Sequence, residues 1–229
     1  KNDKSISIGR QRMKKILEIS NLSHSYVNKI STIKDFSFSL KDGEIVSIIG
    51  PSGIGKTTLL RIIAGLEEPA EGEVRIKEKL VSSKNFILPP EKRNLGLVVE
   101  DRALFPHLNV KKNVMFGINY MEEKESLTRE FLELFKVLDL AEKFPHEISA
   151  GQQQRVAFAR ALITNPDILL LDEPFAALDK KLKSDLHVET KKIFKEKGLS
   201  VVLVTHDEEE AEYFSDTILE FQVDKIIVR

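Results

Sequence analysis

Hydrophobic and polar positions follow two different patterns along this chain of 229 residues. In Ile16 to Ile19, Phe36 to Leu40 and Val74 to Lys77, apolar and polar residues alternate. That period of two predicts half-exposed antiparallel strands. A second set, Ile45 to Ile49, Leu97 to Val99, Ile168 to Leu171 and Val201 to Thr205, lacks alternation. Such runs suit strands buried on both faces of a parallel sheet. They end at Gly50, Glu100, Asp172 and His206, respectively. Ligands of open parallel sheets bind outside the carboxyl ends of the strands, so four strand exits are expected to converge on one site. Lys225 to Val228 is also strand-like.

Helices are expected elsewhere. Leu59 to Ala64 reads as a helix stopped by Gly65. Val110 to Ile118 and Ser126 to Leu140 carry apolar residues at spacings of three and four. Gln152 to Ile163 ends at Asn165-Pro166, and another helix runs from about Asp179 to a cap at Gly198. Glu208 to Phe214 is an acidic helix. Residues 1–12 are polar, charged and aperiodic, the pattern of a leader or tag outside the fold. This leaves 13–229 as one domain, with a helical part at about 102–163.

The most informative stretch is Gly50-Pro51-Ser52-Gly53-Ile54-Gly55-Lys56-Thr57-Thr58. A strand, a loop of the form G-x-x-x-x-G-K-[ST] and a helix, in that order, make a P-loop. Its glycines let backbone N–H groups approach phosphate oxygens with no Cβ in the way. The helix N-terminus adds its positive dipole end. Lys56 is expected to bridge the outer phosphates, and Thr57 to offer its hydroxyl to Mg²⁺.

Composition narrows the classes. Charged residues make up 31% but balance, 35 basic against 36 acidic, so no global field favours nucleic acid. The absence of cysteine excludes disulfides, thiolate zinc sites and cysteine nucleophiles, and permits the cytosol. Uncharged apolar runs are far shorter than a membrane span, so any membrane role is expected to come through a partner.

Asp172, leaving a dry strand, is suited to hold Mg²⁺, and Glu173 to polarise a water towards a γ-phosphate as general base. His206 is placed to sense that phosphate. Ile148-Ser149-Ala150-Gly151-Gln152 precedes a helix, whose first amides and dipole can grip a phosphate. Tyr26 has two readings, an aromatic that stacks on a nucleotide base or an ordinary strand residue.

Together these strings resemble the ATPase subunit of an ABC transporter over residues 16–227. GPSGIGKTT is similar to its Walker A motif, ILLLDEP to its Walker B, ISAGQ to its signature and Ala177-Leu178-Asp179 to its D-loop. Thr205-His206-Asp207 is similar to its switch histidine, and Tyr26 falls where that family stacks adenine. The resemblance implies an α/β fold: a P-loop NTPase core with a parallel sheet, an N-terminal antiparallel β subdomain and an inserted helical subdomain. It implies ATP and Mg²⁺ as ligands, with Thr57, Asp172 and Glu100 around the metal. It also implies a homodimer, or a pair with another ATPase subunit, in which Ser149 and Gly151 act across the interface, with Gln152 and Asp179 as further nucleotide-binding residues.

Leu104 to Val110 resembles importer subunits, which implies transmembrane permease partners, a solute-binding protein and a peripheral place on the cytoplasmic face of the membrane. The alternatives are an exporter or lipid-extraction subunit, a non-transport ATPase of the same family acting on protein or nucleic acid, and an unrelated P-loop kinase. Two departures stand out: Glu100 replaces the family's usual glutamine, and Ala150 a usual glycine. Alanine at 150 is costly only if that position needs a positive φ. Importer subunits often carry a C-terminal regulatory domain, and a chain ending at Arg229 is expected to be a shortened or short-form member.

Overall fold

The computed structural model describes residues 14–25, 33–222 and 226–229. The alternating segments become β1 (Lys15–His24), β2 (Ile33–Lys41) and, beyond the third strand, β4 (Glu71–Ile76). With β5 (Lys79–Ser83) and β6 (Phe86–Ile87) they form an antiparallel sheet in the order β2-β1-β4-β5-β6. The segments without alternation become β3 (Ile45–Ile49), β7 (Leu95–Val98), β8 (Ile168–Asp172) and β9 (Ser200–Val204). They join β10 (Thr217–Phe221) and β11 (Ile226–Val228) in a second sheet, ordered β11-β10-β3-β9-β8-β7. It is parallel except at the β11 edge.

Alternate residues of the parallel strands feed two hydrophobic cores, which is why their sequences do not alternate. Ile168 and Leu170 of β8 face the core shared with the antiparallel sheet and with α1 (Lys56–Ala64). Leu169 and Leu171 face the helices α2 (Val110–Met115), α3 (Lys124–Leu134), α4 (Ala150–Leu162), α5 (Lys180–Glu196) and α6 (Glu208–Phe214). So α1 is enclosed between the two sheets.

The structure changes several expectations. The helix read as Ser126 to Leu140 ends at Leu134. Lys136 then takes φ 55°, and Leu138–Leu140 forms a separate 3-10 turn. The reversal lets Phe135 and Val137, on either side of Lys136, both enter the core. The segment Val110 to Ile118 is α2 followed by a 3-10 turn, Phe116–Ile118. Strands β5, β6 and β10 had no counterpart in the reading above. A two-residue hairpin at Lys77 (φ 47°) and Glu78 (φ 66°) connects β4 to β5. Lys-Glu is not among the sequences that signal positive φ at both positions, so the hairpin was invisible.

Candidate active site

The end of β3 sets the geometry. Gly50 has φ 147°, and a Cβ there would lie 2.5 Å from the Phe221 carbonyl oxygen of β10. Gly53 (φ 80°) and Gly55 (φ 110°) complete the loop, and Gly55 caps α1 in the left-handed region. Lys56, buried at the first position of α1, turns back over the loop. Its Nζ donates to the carbonyl oxygens of Gly50 at 2.6 Å and Pro51 at 3.0 Å. Burial pulls the Lys56 ammonium below the usual lysine value, and the charges of Glu173 and Asp172 offset part of that.

Thr57 follows, and its Oγ1 donates to Asp172 Oδ1 at 3.2 Å across the gap between α1 and β8. Burial pushes the Asp172 carboxyl above the ordinary carboxylate value. The hydrogen bond from Thr57 and the charge of Arg61 work against this, while Glu173 and Glu100 add to it. Beyond β8, Glu173 takes φ 50° and its N–H donates to the Val204 carbonyl at 2.9 Å. A non-glycine residue in that region is strained, and such strain gathers at functional sites. His206 leaves β9 beside it, and its Nδ1 lies 2.5 Å from Glu173 Oε2.

These groups border one cleft of ≈ 1070 Å³. Ser52, Gly53, Gly55, Lys56, Thr57, Thr58, Glu100, Asp172, Glu173 and His206 all line it. The four strand exits therefore do converge. Gly50, Pro51 and Ile54 shape the loop without lining the cleft.

Arg61 and Arg102 also line it and had not been foreseen. Arg61 stands four residues after Thr57, the spacing that puts two helical residues on one face. That spacing could have identified it. Arg102 follows Glu100 in a loop where both Arg102 (φ 62°) and Ala103 (φ 43°) are left-handed, and nothing local announces this.

Ser149, Gly151, Gln152 and Asp179 do not line the cleft. Ser149 and Gln152 form a capping box on α4: Ser149 Oγ accepts from the Gln152 N–H at 3.3 Å, and Gln152 Oε1 from the Ser149 N–H at 2.9 Å. Asp179 caps α5 through the Leu182 N–H at 3.1 Å. Ala150 is the first residue of α4 and is absent from the positive-φ positions, so alanine carries no backbone strain there. Tyr26 lies outside the described residues, as do residues 1–12.

Among the described residues no three histidine, cysteine, aspartate or glutamate side chains are grouped to hold a metal. The donor set at the cleft is one hydroxyl and two carboxylates, Thr57, Asp172 and Glu100. These are hard oxygen ligands of the kind Mg²⁺ takes when substrate phosphates complete its shell. Burial raises Asp172 most, and the repulsion from Glu173 and Glu100 that adds to it is what a divalent cation would relieve.

Comparison with known proteins gives the relatives of this chain. The Fe(3+) ions import ATP-binding protein FbpC 2 of Haemophilus influenzae is 45% identical over 216 residues, covering 93% of this chain and 60% of the relative. The spermidine/putrescine import ATP-binding protein PotA of Bacillus thuringiensis is 43% identical over 211 residues, covering 90% of this chain and 63% of the relative. The chain thus spans about three fifths of the length of these curated relatives. The dimeric post-hydrolysis structure of the ATP-binding cassette MJ0796, bound to ADP and Pi, superposes with a TM-score of 0.79 at 33% identity. That match covers 92% of this chain and 97% of the cassette. Residues 33–176 match the family model described as ABC transporter. On this match and on the identity to these relatives, the chain belongs to the ABC transporter family.

Proposed function

We propose that this chain hydrolyses ATP and thereby drives import through a partner membrane permease. The observation that carries this reading is the meeting of Lys56, Thr57, Asp172, Glu173 and His206 at one cleft, although they come from three separate strand exits. Lys56 and the loop amides hold the phosphates of ATP. Glu173 accepts a proton from the attacking water, and its contact with His206 keeps the carboxylate on the cleft side of β8. His206 contacts the γ-phosphate. Thr57, Asp172 and Glu100 would hold Mg²⁺, which when bound neutralises charge on the β- and γ-phosphates. A carboxylate at Glu100 binds a metal more strongly than an amide but cannot donate a hydrogen bond.

Two copies of the chain, or one copy and a related subunit, close over two ATP molecules in this reading. Ser149, Gly151, Gln152 and Asp179 of each then face the phosphate loop of the other. Support comes from their position outside the cleft of a single chain and from the dimeric state of the MJ0796 cassette. Import is supported by the printed functions of the iron and polyamine relatives. No described helix is long and apolar enough to cross a membrane. In this reading the chain sits against the cytoplasmic face through its permease, in a system that also uses a solute-binding protein.

The test is twofold. Purified protein should hydrolyse ATP in a Mg²⁺-dependent way, and tagged protein should co-purify with a polytopic membrane protein. Failure of the first refutes the ATPase reading; success of the first with a soluble partner instead refutes import.

A further inference from the structure

The side chain of His206 is 65% exposed, so packing does not aim it at Glu173. Its two chain neighbours do. Thr205 is tied to the sheet, its N–H donating to the Ile48 carbonyl at 3.2 Å, and its Oγ1 accepts from the Asp207 N–H at 3.1 Å. Asp207 Oδ1 caps α6 through the Glu210 N–H at 3.1 Å. The remaining oxygen, Asp207 Oδ2, accepts from Lys183 Nζ at 2.6 Å.

Lys183 belongs to the first turn of α5, so it links His206 to an element outside its own loop. The same ammonium lies 2.9 Å from Oε2 of Glu210, which is 2% exposed. His187, packed against Phe175, Tyr213 and Phe214, closes the far side, with Nε2 3.5 Å from Glu210 Oε2. One cation thus bridges the partly exposed Asp207 and the buried Glu210, and removing it leaves only His187 beside the Glu210 carboxylate. The residue before it, Leu182, packs on Gly151 of α4: a Cβ at Gly151 would lie 2.3 Å from Leu182 Cδ2. The first turn of α5 is therefore fastened on one side to the start of α4 and on the other to the loop that carries His206.

We propose that Lys183 is a positioning residue for His206, holding the imidazole in register with the start of α4. This rests on the function proposed above. Lys183 touches neither substrate nor metal; it acts through Asp207.

The experiment compares Lys183→Met, which keeps the stem and loses the charge, with Lys183→Arg in the full chain. In Lys183→Met, kcat for ATP is expected to fall about tenfold with KM within about twofold, and Lys183→Arg to recover most of it. Histidine-selective NMR without nucleotide should show the His206 imidazole signals moving in Lys183→Met, while those of His24, His107 and His146 stay. A folded Lys183→Met protein with unchanged kcat and unmoved His206 signals would overturn the proposal. Should Lys183→Met fail to fold, Asp207→Asn, which keeps the cap and loses the ion pair, carries the same expectations. A wild type without ATPase activity would instead remove the function on which the proposal stands, and the proposal with it.

Discussion

The imidazole Nδ1 of His206 lies 2.5 Å from Oε2 of Glu173, although 33 residues separate them in the chain. Sheet register brings them together: Asp172 pairs with Val204, so the residues just beyond β8 and β9 leave the sheet side by side. The N–H of Glu173 is held by the Val204 carbonyl, which fixes the carboxylate at the cleft in spite of its φ of 50°. Glu173→Gln keeps the shape and removes the base. Turnover is expected to fall by about 100-fold or more, with ATP affinity within a few-fold, as measured by single-turnover hydrolysis and equilibrium binding. Near-normal turnover would take Glu173 out of that role.

Asp172→Asn should stabilise the fold while abolishing hydrolysis. The Asp172 carboxyl titrates above its ordinary value because it is buried, with Glu173 and Glu100 adding repulsion. A raised folded value contributes stability that is present below the unfolded pKa and lost as pH rises through the folded one. At pH 7, without metal, the ionised side chain is therefore a cost. A gain of about 2–4 °C in Tm at pH 7 is expected for the variant, checked by calorimetry. A lowered Tm would refute the argument.

The junction between α4 and α5 should depend on pH. Glu189 of α5 accepts from Arg155 of α4 and from Lys136 at 2.6 Å. Burial raises the Glu189 pKa, but these hydrogen bonds outweigh it and hold the carboxyl below the ordinary glutamate value. A depressed folded value gives stability that is present above the unfolded pKa and lost as pH falls through the folded one. Glu189→Gln is expected to cost about 1 kcal/mol at pH 7, since the pair is partly solvated. The difference from wild type should vanish in urea titrations run below the folded value. A gap that persists in acid would point to lost packing instead.

Gly151 is restricted by space, since its backbone is helical and its φ is not in the left-handed range. Alanine would favour the helix by about 1 kcal/mol, but its Cβ would meet Leu182 Cδ2 at 2.3 Å. Gly151→Ala should therefore destabilise the protein, and adding Leu182→Ala should recover part of the loss. Additive losses in the double variant, read by urea unfolding, would contradict this.

Arg93 ties α1 to the antiparallel sheet. Its Nε donates to the Leu88 carbonyl at 2.7 Å, and its Nη1 to the carbonyls of Ile62 at 3.0 Å and Ile63 at 2.8 Å. Its Nη2 donates to the Val81 carbonyl at 2.7 Å and to Ser82 Oγ at 2.8 Å. Burial lowers its pKa to about 10, so it stays cationic at neutral pH. Lysine cannot reproduce this planar fork, and Arg93→Lys should cost about 2–4 kcal/mol. An unchanged unfolding midpoint would show that the fork is dispensable.

Local chemistry made much of the protein legible. The phosphate loop is a continuous string whose glycines are required by backbone angles and close approach, so Gly50, Gly53 and Gly55 announced themselves. Of the parallel strands, β3, β7, β8 and β9 were visible because both of their faces pack against apolar side chains, which removes polar residues from the run. The residues at their exits followed directly: Glu100, Asp172, Glu173 and His206. The helix start near Asp179 was legible, and Ser149 and Asp179 cap their helices within their own first turns.

Tertiary structure decided what depends on partners distant in the chain. The order β3-β9-β8 sets which exits are neighbours, and no run of residues encodes that order. Arg93 looks like any basic residue in a loop until the carbonyls it serves are assembled around it. Lys183 lies in a lysine-rich stretch, and only the approach of Asp207 and Glu210 separates it from Lys180 and Lys181. The left-handed turns at Lys77, Glu78, Lys136 and Glu173 have no glycine to mark them. Their strain is offset by contacts made elsewhere, so local propensity gives no sign of them.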